Sequence, residues 1–183
     1  MDNGASSYRR YLDGDESAFR EIVKNYFDCL LLFVNRYVHD LSTAEDIALD
    51  VFTQLVVHKR RYNFSTSFKT YLFTMGRSRA LDYIRRRDKI KMVELSEAAQ
   101  YLSEESVLEE AVLADERKRW INRALEQLPD EMRLVLHLVY FEELSIDEAA
   151  KVLKKSKKQV YNLLYRGKTT LRTILGEEGK QLL

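Results

Sequence analysis

Apolar residues recur at intervals of three and four along most of this chain, the period of an α-helix buried along one face. From Asp15 the series Phe19, Ile22, Val23, Tyr26, Phe27, Leu30 and Leu31 keeps that spacing, and it runs on through Leu32, Phe33, Val34 and Tyr37. A second helix, TAEDIALDVFTQLVVHK, is predicted from a cap at Ser42 or Thr43, with Ile47, Val51, Phe52 and Leu55 facing inward. The stretch RRYNFSTSF, residues 60–68, breaks the period. A third helix then begins near Ser67 or Phe68, with Leu72, Met75, Leu81 and Ile84 on its inner side. Further on, Leu128-Pro129-Asp130 ends one helix and starts the next, with proline at a favoured first-turn position. Ser145 and Glu148 form a capping-box pattern for a short helix that carries Ile146, Ala149, Ala150 and Leu153 on one face. Ser156 can cap another, whose inner stripe is Val160, Leu163, Leu164, Leu171 and Leu175. The fold class predicted is all-α.

Composition agrees and narrows the chemistry. One proline and six glycines in 183 residues, with Leu, Glu, Lys and Arg throughout, favour long helices in one or two small domains. The single cysteine, Cys29, lies in the apolar run CLLLFV and reads as a buried core thiol. No internal disulfide is possible, and the scattered His39, His58 and His137 give no metal-ligand spacing, so no metal or cofactor is expected. No apolar run approaches the roughly 20 residues a membrane span requires. The N-terminal stretch lacks the cationic start and apolar core of a signal peptide. A cytoplasmic protein, not itself membrane-embedded, is the expectation.

Charge is where the chain divides. Residues 1–92 hold 16 Lys and Arg against 12 Asp and Glu, residues 93–116 hold none against 8, and residues 117–183 hold 14 against 9. Two basic blocks therefore flank an acidic segment, and the formal net charge of +1 conceals two modules that attract nucleic acid. The expected domains are residues 1–92 and 111–183, with an acidic linker over 93–110.

Each basic block has a candidate surface. A short helix, a turn at Lys154 and a cationic second helix make a helix-turn-helix layout, in which the second helix enters the DNA major groove. Its polar residues Lys157, Lys158, Gln159, Asn162, Arg166 and Lys168 lie off the apolar stripe. An ordinary helical hairpin with a solvated cationic face would give the same pattern. In the first block, the aromatic loop at 60–68 precedes a helix bearing Arg77, Arg79, Arg85, Arg86 and Arg87. Bases could stack on Tyr62 or Phe64 while arginines follow the backbone. Alternatively, Tyr62, Phe64, Phe68 and Tyr71 are core or rim aromatics beside a solvated helix face.

GDESAFREIVKNYFDCLLLFV, HDLSTAEDIALDVFTQLV and SFKTYLFTMGRSRALDYIRRR together resemble region 2 of the bacterial extracytoplasmic-function (ECF) sigma factors. RALEQLPDEMRLVLHLVYFEELSIDEAAKVLKKSKKQVYNLLYRGKTTLRTIL resembles their region 4, and the likeness spans nearly all of residues 11–175. It implies a sigma factor that binds core RNA polymerase and directs initiation at promoters, double-stranded at −35 and single-stranded at −10. Glu45, Asp46, Asp50 and Gln54 would then dock on the coiled coil of the polymerase clamp. Arg61, Tyr62, Asn63, Phe64, Ser65 and Tyr71 would capture a flipped base of the −10 non-template strand, held by Arg77, Arg79, Arg85 and Arg86. Ser156, Lys157, Lys158, Gln159, Tyr161, Asn162, Arg166 and Lys168 would read the −35 element. The linker would occupy the channel later used by RNA, and an anti-sigma factor is a further implied partner.

Some positions depart from the family pattern. Tyr71 stands where Trp is frequent, Ser78 where Asn is, Lys154 where the turn usually has Gly, and Leu49 where the docking helix is often polar. A lysine at the turn adopts a left-handed backbone at a cost of about 1 kcal/mol. Two other classes compete with the sigma reading. A stand-alone helix-turn-helix repressor leaves the arginine helix and acidic linker without a role, and an enzyme lacks any phosphate loop, nucleophile set or metal cluster.

Overall fold

The computed structural model describes residues 3–94 and 123–179, all in helices and the turns that join them. The chain divides into two compact units, Met1–Val107 and Leu108–Leu183. Most of the acidic linker lies outside the described residues.

The first unit packs α1 (Asn3–Leu12), α2 (Glu16–Val38), α3 (Leu41–Val57) and α4 (Phe68–Glu94) around one core, with a 3-10 turn at Lys59–Arg61. Asp15 caps α2 by accepting from the Ser17 and Ala18 amides at 3.0 and 3.3 Å. Hydrogen bonds from Ser17 and Arg10 hold its carboxyl down at about 2. For α3 the cap is Asp40, whose carboxylate takes the Thr43 amide at 2.7 Å. The predicted caps Ser42 and Thr43 sit inside the first turn instead, because Asp40 reaches back one residue before the helix begins. The core consists of Ile22, Leu30, Phe33 and Val34 from α2, Val51 and Leu55 from α3, and Phe68, Leu72 and Phe73 from α4. Burying each such side chain stabilises the unit by about 1.5–3 kcal/mol. Met75, Leu81 and Ile84, expected inside, are half-buried; Ala80 and Gly76 take the closest positions. A Cβ on Gly76 would lie 2.7 Å from Leu30 Cδ1, so α4 runs close against α2. Cys29 is half-buried rather than fully buried.

Helix α1 is absent from the sequence expectations. Its buried residues are Gly4, Tyr8 and Tyr11, too few and too polar to register as an apolar stripe. Tyr8 is fully buried, and its hydroxyl donates to the Lys59 carbonyl at 2.9 Å and the Leu55 carbonyl at 3.3 Å. Burial pushes that hydroxyl's pKa up. One side chain thus ties α1 to the end of α3 and the start of the loop.

In the second unit, α5 (Asp130–Leu136) opens after Pro129, which serves as the cap rather than as a first-turn residue. The helix widens into a π turn at His137–Phe141, then α6 (Ile146–Leu153) and α7 (Lys157–Gly179) follow, the last broken by Gly176 at φ 64°. The capping box of Ser145 and Glu148 forms as predicted. Lys154 closes α6 in the left-handed conformation, φ 51° and ψ 44°, as the sequence required of the helix-turn-helix corner. Leu136 from α5 and Leu164 and Leu171 from α7 are buried. Gly167 lets the two helices approach, since a Cβ there would meet Leu136 Cδ1 at 3.2 Å. Among the described residues no helix is long and apolar enough to cross a membrane.

Candidate nucleic-acid interfaces

The loop between α3 and α4 is a strained turn on an aromatic wall. Tyr62 is only 3% exposed, and its hydroxyl donates to the Thr66 carbonyl at 2.6 Å. Its ring stacks on Tyr71 at 4.9 Å and meets Phe68 and Tyr8 edge-on at 5.5 and 5.6 Å. Tyr62 is therefore a core residue, which corrects its assignment as a base-stacking platform: neither face is open to a ligand. Phe64, half-buried, is the loop aromatic that reaches the surface, 4.5 Å from Tyr62, and Tyr71 at the start of α4 is half-buried too. It sits at φ 60°, a conformation that costs a bulky residue about 1–2 kcal/mol and concentrates at functional sites. Asn63 holds that turn, its side-chain oxygen accepting from the Ser65 amide at 3.1 Å and hydroxyl at 2.7 Å. Burial pushes the Tyr71 hydroxyl up in pKa, with Arg61 opposing.

The arginines of α4 do not share one face. Arg79 and Arg86 lie seven residues apart on one row, while Arg77, half-buried, is about half a turn away. Arg85 is exposed and pairs with Asp82 at 3.0 Å. Arg79 pairs with Asp50 of α3 at 3.1 Å, so a residue assigned to DNA neutralises one assigned to polymerase. Elsewhere on α3, Glu45 and Asp46 are exposed, Gln54 is half-buried, and Leu49 and Val56 are 51% and 41% exposed. Acids around exposed apolar side chains suit a protein partner better than a solvated face.

In the second unit, α7 presents Lys158, Tyr161, Asn162 and Arg166 outward, away from the row of Val160, Leu164 and Leu171. Four predicted residues have other work. Ser156 and Gln159 form a reciprocal cap, the Gln159 oxygen taking the Ser156 amide at 2.8 Å and the Ser156 hydroxyl taking the Gln159 amide at 3.2 Å. Lys157 pairs with Asp147 at 2.6 Å. Lys168 lies over the Tyr140 ring at 4.8 Å, on the flank of the helix. Tyr165, 67% exposed, stands among the outward residues and escaped the sequence reading, although its spacing of seven from Lys158 would have placed it there.

Comparison with known proteins matches residues 22–90 to the family model described as Sigma-70 region 2 and residues 118–171 to Sigma-70, region 4. The ECF RNA polymerase sigma factor SigW of Bacillus subtilis is 28% identical over 167 residues, covering 87% of this chain and 89% of that protein. The ECF RNA polymerase sigma-E factor of Escherichia coli K12 is 24% identical, covering 88% of each. Among solved structures, the sigma factor RpoE in complex with the anti-sigma factor NepR from Bartonella quintana has a similar fold, with a TM-score of 0.67 at 18% identity, covering 86% of this chain and 96% of that one. CnrH in complex with the cytosolic domain of CnrY aligns with a TM-score of 0.59 at 19% identity over 94% of each chain.

Two helical units in this order, matching regions 2 and 4, define a transcription initiation factor, and the chain belongs to the sigma-70 family, in its ECF branch. It binds core RNA polymerase and directs promoter-specific initiation.

Proposed function

We propose that the first unit docks on polymerase through α3 and opens the −10 element at the Asn63–Phe64 loop, while α7 reads the −35 duplex. The carrying observation is that one unit holds a half-buried Phe64 backed by the buried Tyr62, while the other holds an outward row of Lys158, Asn162 and Arg166 on a regular helix. Extruding a base costs a few kcal/mol. Stacking on Phe64 returns roughly 1–3 kcal/mol, with the Asn63 amide available for the base edge. Tyr62 and Tyr71 act behind Phe64 as its support. Arg86 follows the strand backbone, and Arg79, on the same row, joins it only by giving up its pair with Asp50. On α3, the exposed Glu45 and Asp46 flank Leu49 so that charge steers a cationic partner and Leu49 supplies the desolvated contact.

In the second unit Lys158 and Asn162 face base edges, Arg166 faces phosphate, and Tyr161 and Tyr165 supply apolar contact. Residues 93–110 form the acidic linker between the two surfaces. An anti-sigma factor is a further proposed partner, as in the two similar solved complexes. The test is transcription reconstituted with core enzyme of the native host on the promoter upstream of this gene. Initiation should require the protein. Dimeric binding to a palindrome, indifferent to polymerase, would favour a repressor.

A further inference from the structure

Two adjacent arginines of α1 have opposite surroundings. Arg10 is held by Asp15 at 2.7 Å and Glu21 at 3.1 Å. Arg9 makes no ion pair among the described residues, and its guanidinium lies over the Phe64 ring, 4.8 Å from the centroid. The planar cation thus occupies a face of the one loop aromatic that reaches the surface. Helix α1 precedes the residues matched to sigma-70 region 2, which start at 22.

We infer that Arg9 is a displaceable cover on Phe64 that a captured base replaces, and that the released guanidinium then binds the phosphate beside that base. This rests on the reading of the loop as the strand-capture site. The exchange is feasible because an exposed cation–π contact is weak and base stacking on an aromatic is stronger. The exposed Asp13 lies four residues on, one helical turn from Arg9, and forms no ion pair with it among the described residues. The exposed Lys59, Arg60 and Arg61 form the 3-10 turn whose first carbonyl takes the Tyr8 hydroxyl of α1. Lys59 itself rests over Tyr11 at 4.6 Å. A basic rim of this kind selects a phosphodiester, and a guanidinium binds one through paired N–H donors. Resting on an aromatic also keeps the cation in place before DNA arrives, without an acid that would have to be broken away.

The test uses holoenzyme and a fork-junction oligonucleotide whose −10 non-template segment is single-stranded. Arg9→Ala should weaken binding about fivefold at moderate salt and flatten the log–log salt slope by about 0.7–1. Arg9→Lys should keep the slope, since the charge remains, while losing part of the affinity. Both changes lie on an exposed helical surface and should fold. Unchanged affinity and slope in Arg9→Ala overturns the inference, and so does tighter binding with an unchanged slope, which would make Arg9 a cover only. Phe64→Ala separates the two ideas. If it weakens fork binding and Arg9→Ala does not, only the role of Arg9 falls; if Phe64→Ala has no effect, the loop reading falls first.

Discussion

At the loop of the first unit, the residues nearest the proposed ligand are continuous with the core. Tyr62 is buried, stacks on Tyr71 and supports Phe64, and Phe64 itself carries backbone strain. On α7 of the second unit, Lys158, Asn162 and Arg166 project from a regular helix whose opposite side does the packing. The contrast follows from what each surface has to recognise. A melted strand offers base faces, so its binder needs an aromatic wall, and a wall must be braced from inside. A duplex offers edges and phosphates, so a stiff rod of polar side chains suffices. Binding and stability are therefore entangled in one unit and separable in the other.

That entanglement can be broken by mutation. Tyr62→Ala should lower the unfolding free energy by about 3–5 kcal/mol in a urea titration, whereas Arg166→Ala should stay within about 0.5 kcal/mol of the parent. A Tyr62→Ala effect under 1 kcal/mol would mean that the wall is not braced by the core. Next in size, Phe64→Ala should reduce strand opening on duplex promoters roughly 10- to 100-fold by permanganate footprinting, with −35 discrimination kept. Phe64→Gly should lose opening equally yet fold at least as stably as Phe64→Ala, because glycine accepts the left-handed backbone. On the other surface, Lys158→Ala and Asn162→Ala should each remove about 1–3 kcal/mol of −35 discrimination and leave opening of a pre-melted template intact. Arg166→Ala should instead weaken all sequences alike and lower the salt slope by about one.

Smaller effects sharpen the division within the second unit. Gln159→Ala should cost about 0.5–2 kcal/mol of stability through the lost cap, with base preference at −35 little altered. Smallest is Lys154→Gly, which should raise the unfolding free energy by up to about 1 kcal/mol by removing a left-handed lysine. A loss of stability there would show that the lysine side chain compensates its backbone.

Local rules were legible in the sequence and tertiary ones were not. The Ser145–Glu148 box, the corner at Lys154 and the period of α2 depend on residues a few positions apart, and all three appear in the structure. The cap of α3 was misplaced because Asp40, Ser42 and Thr43 are all competent, and only the start of the helix selects among them. Helix α1 went unseen because its role is carried by a tyrosine reaching residues 47 and 51 positions away. The bridge from Asp50 to Arg79 joins two segments that appeared to serve different partners. Tyr62 looked like a surface aromatic because its neighbours are polar. Only packing from two helices and the loop shows that both its faces are closed.

The cap between Ser156 and Gln159 has a consequence for retargeting this protein to new promoters. A designer choosing positions to randomise by the helix-turn-helix pattern would include 159, the third residue of α7. Most replacements there would yield a frayed helix, and the library would spend its diversity on folding defects. Positions 158, 162 and 165 carry no such duty. A library that fixes Ser156 and Gln159 and varies those three should return more folded variants, with specificities that differ from the parent in base choice and not in helix stability.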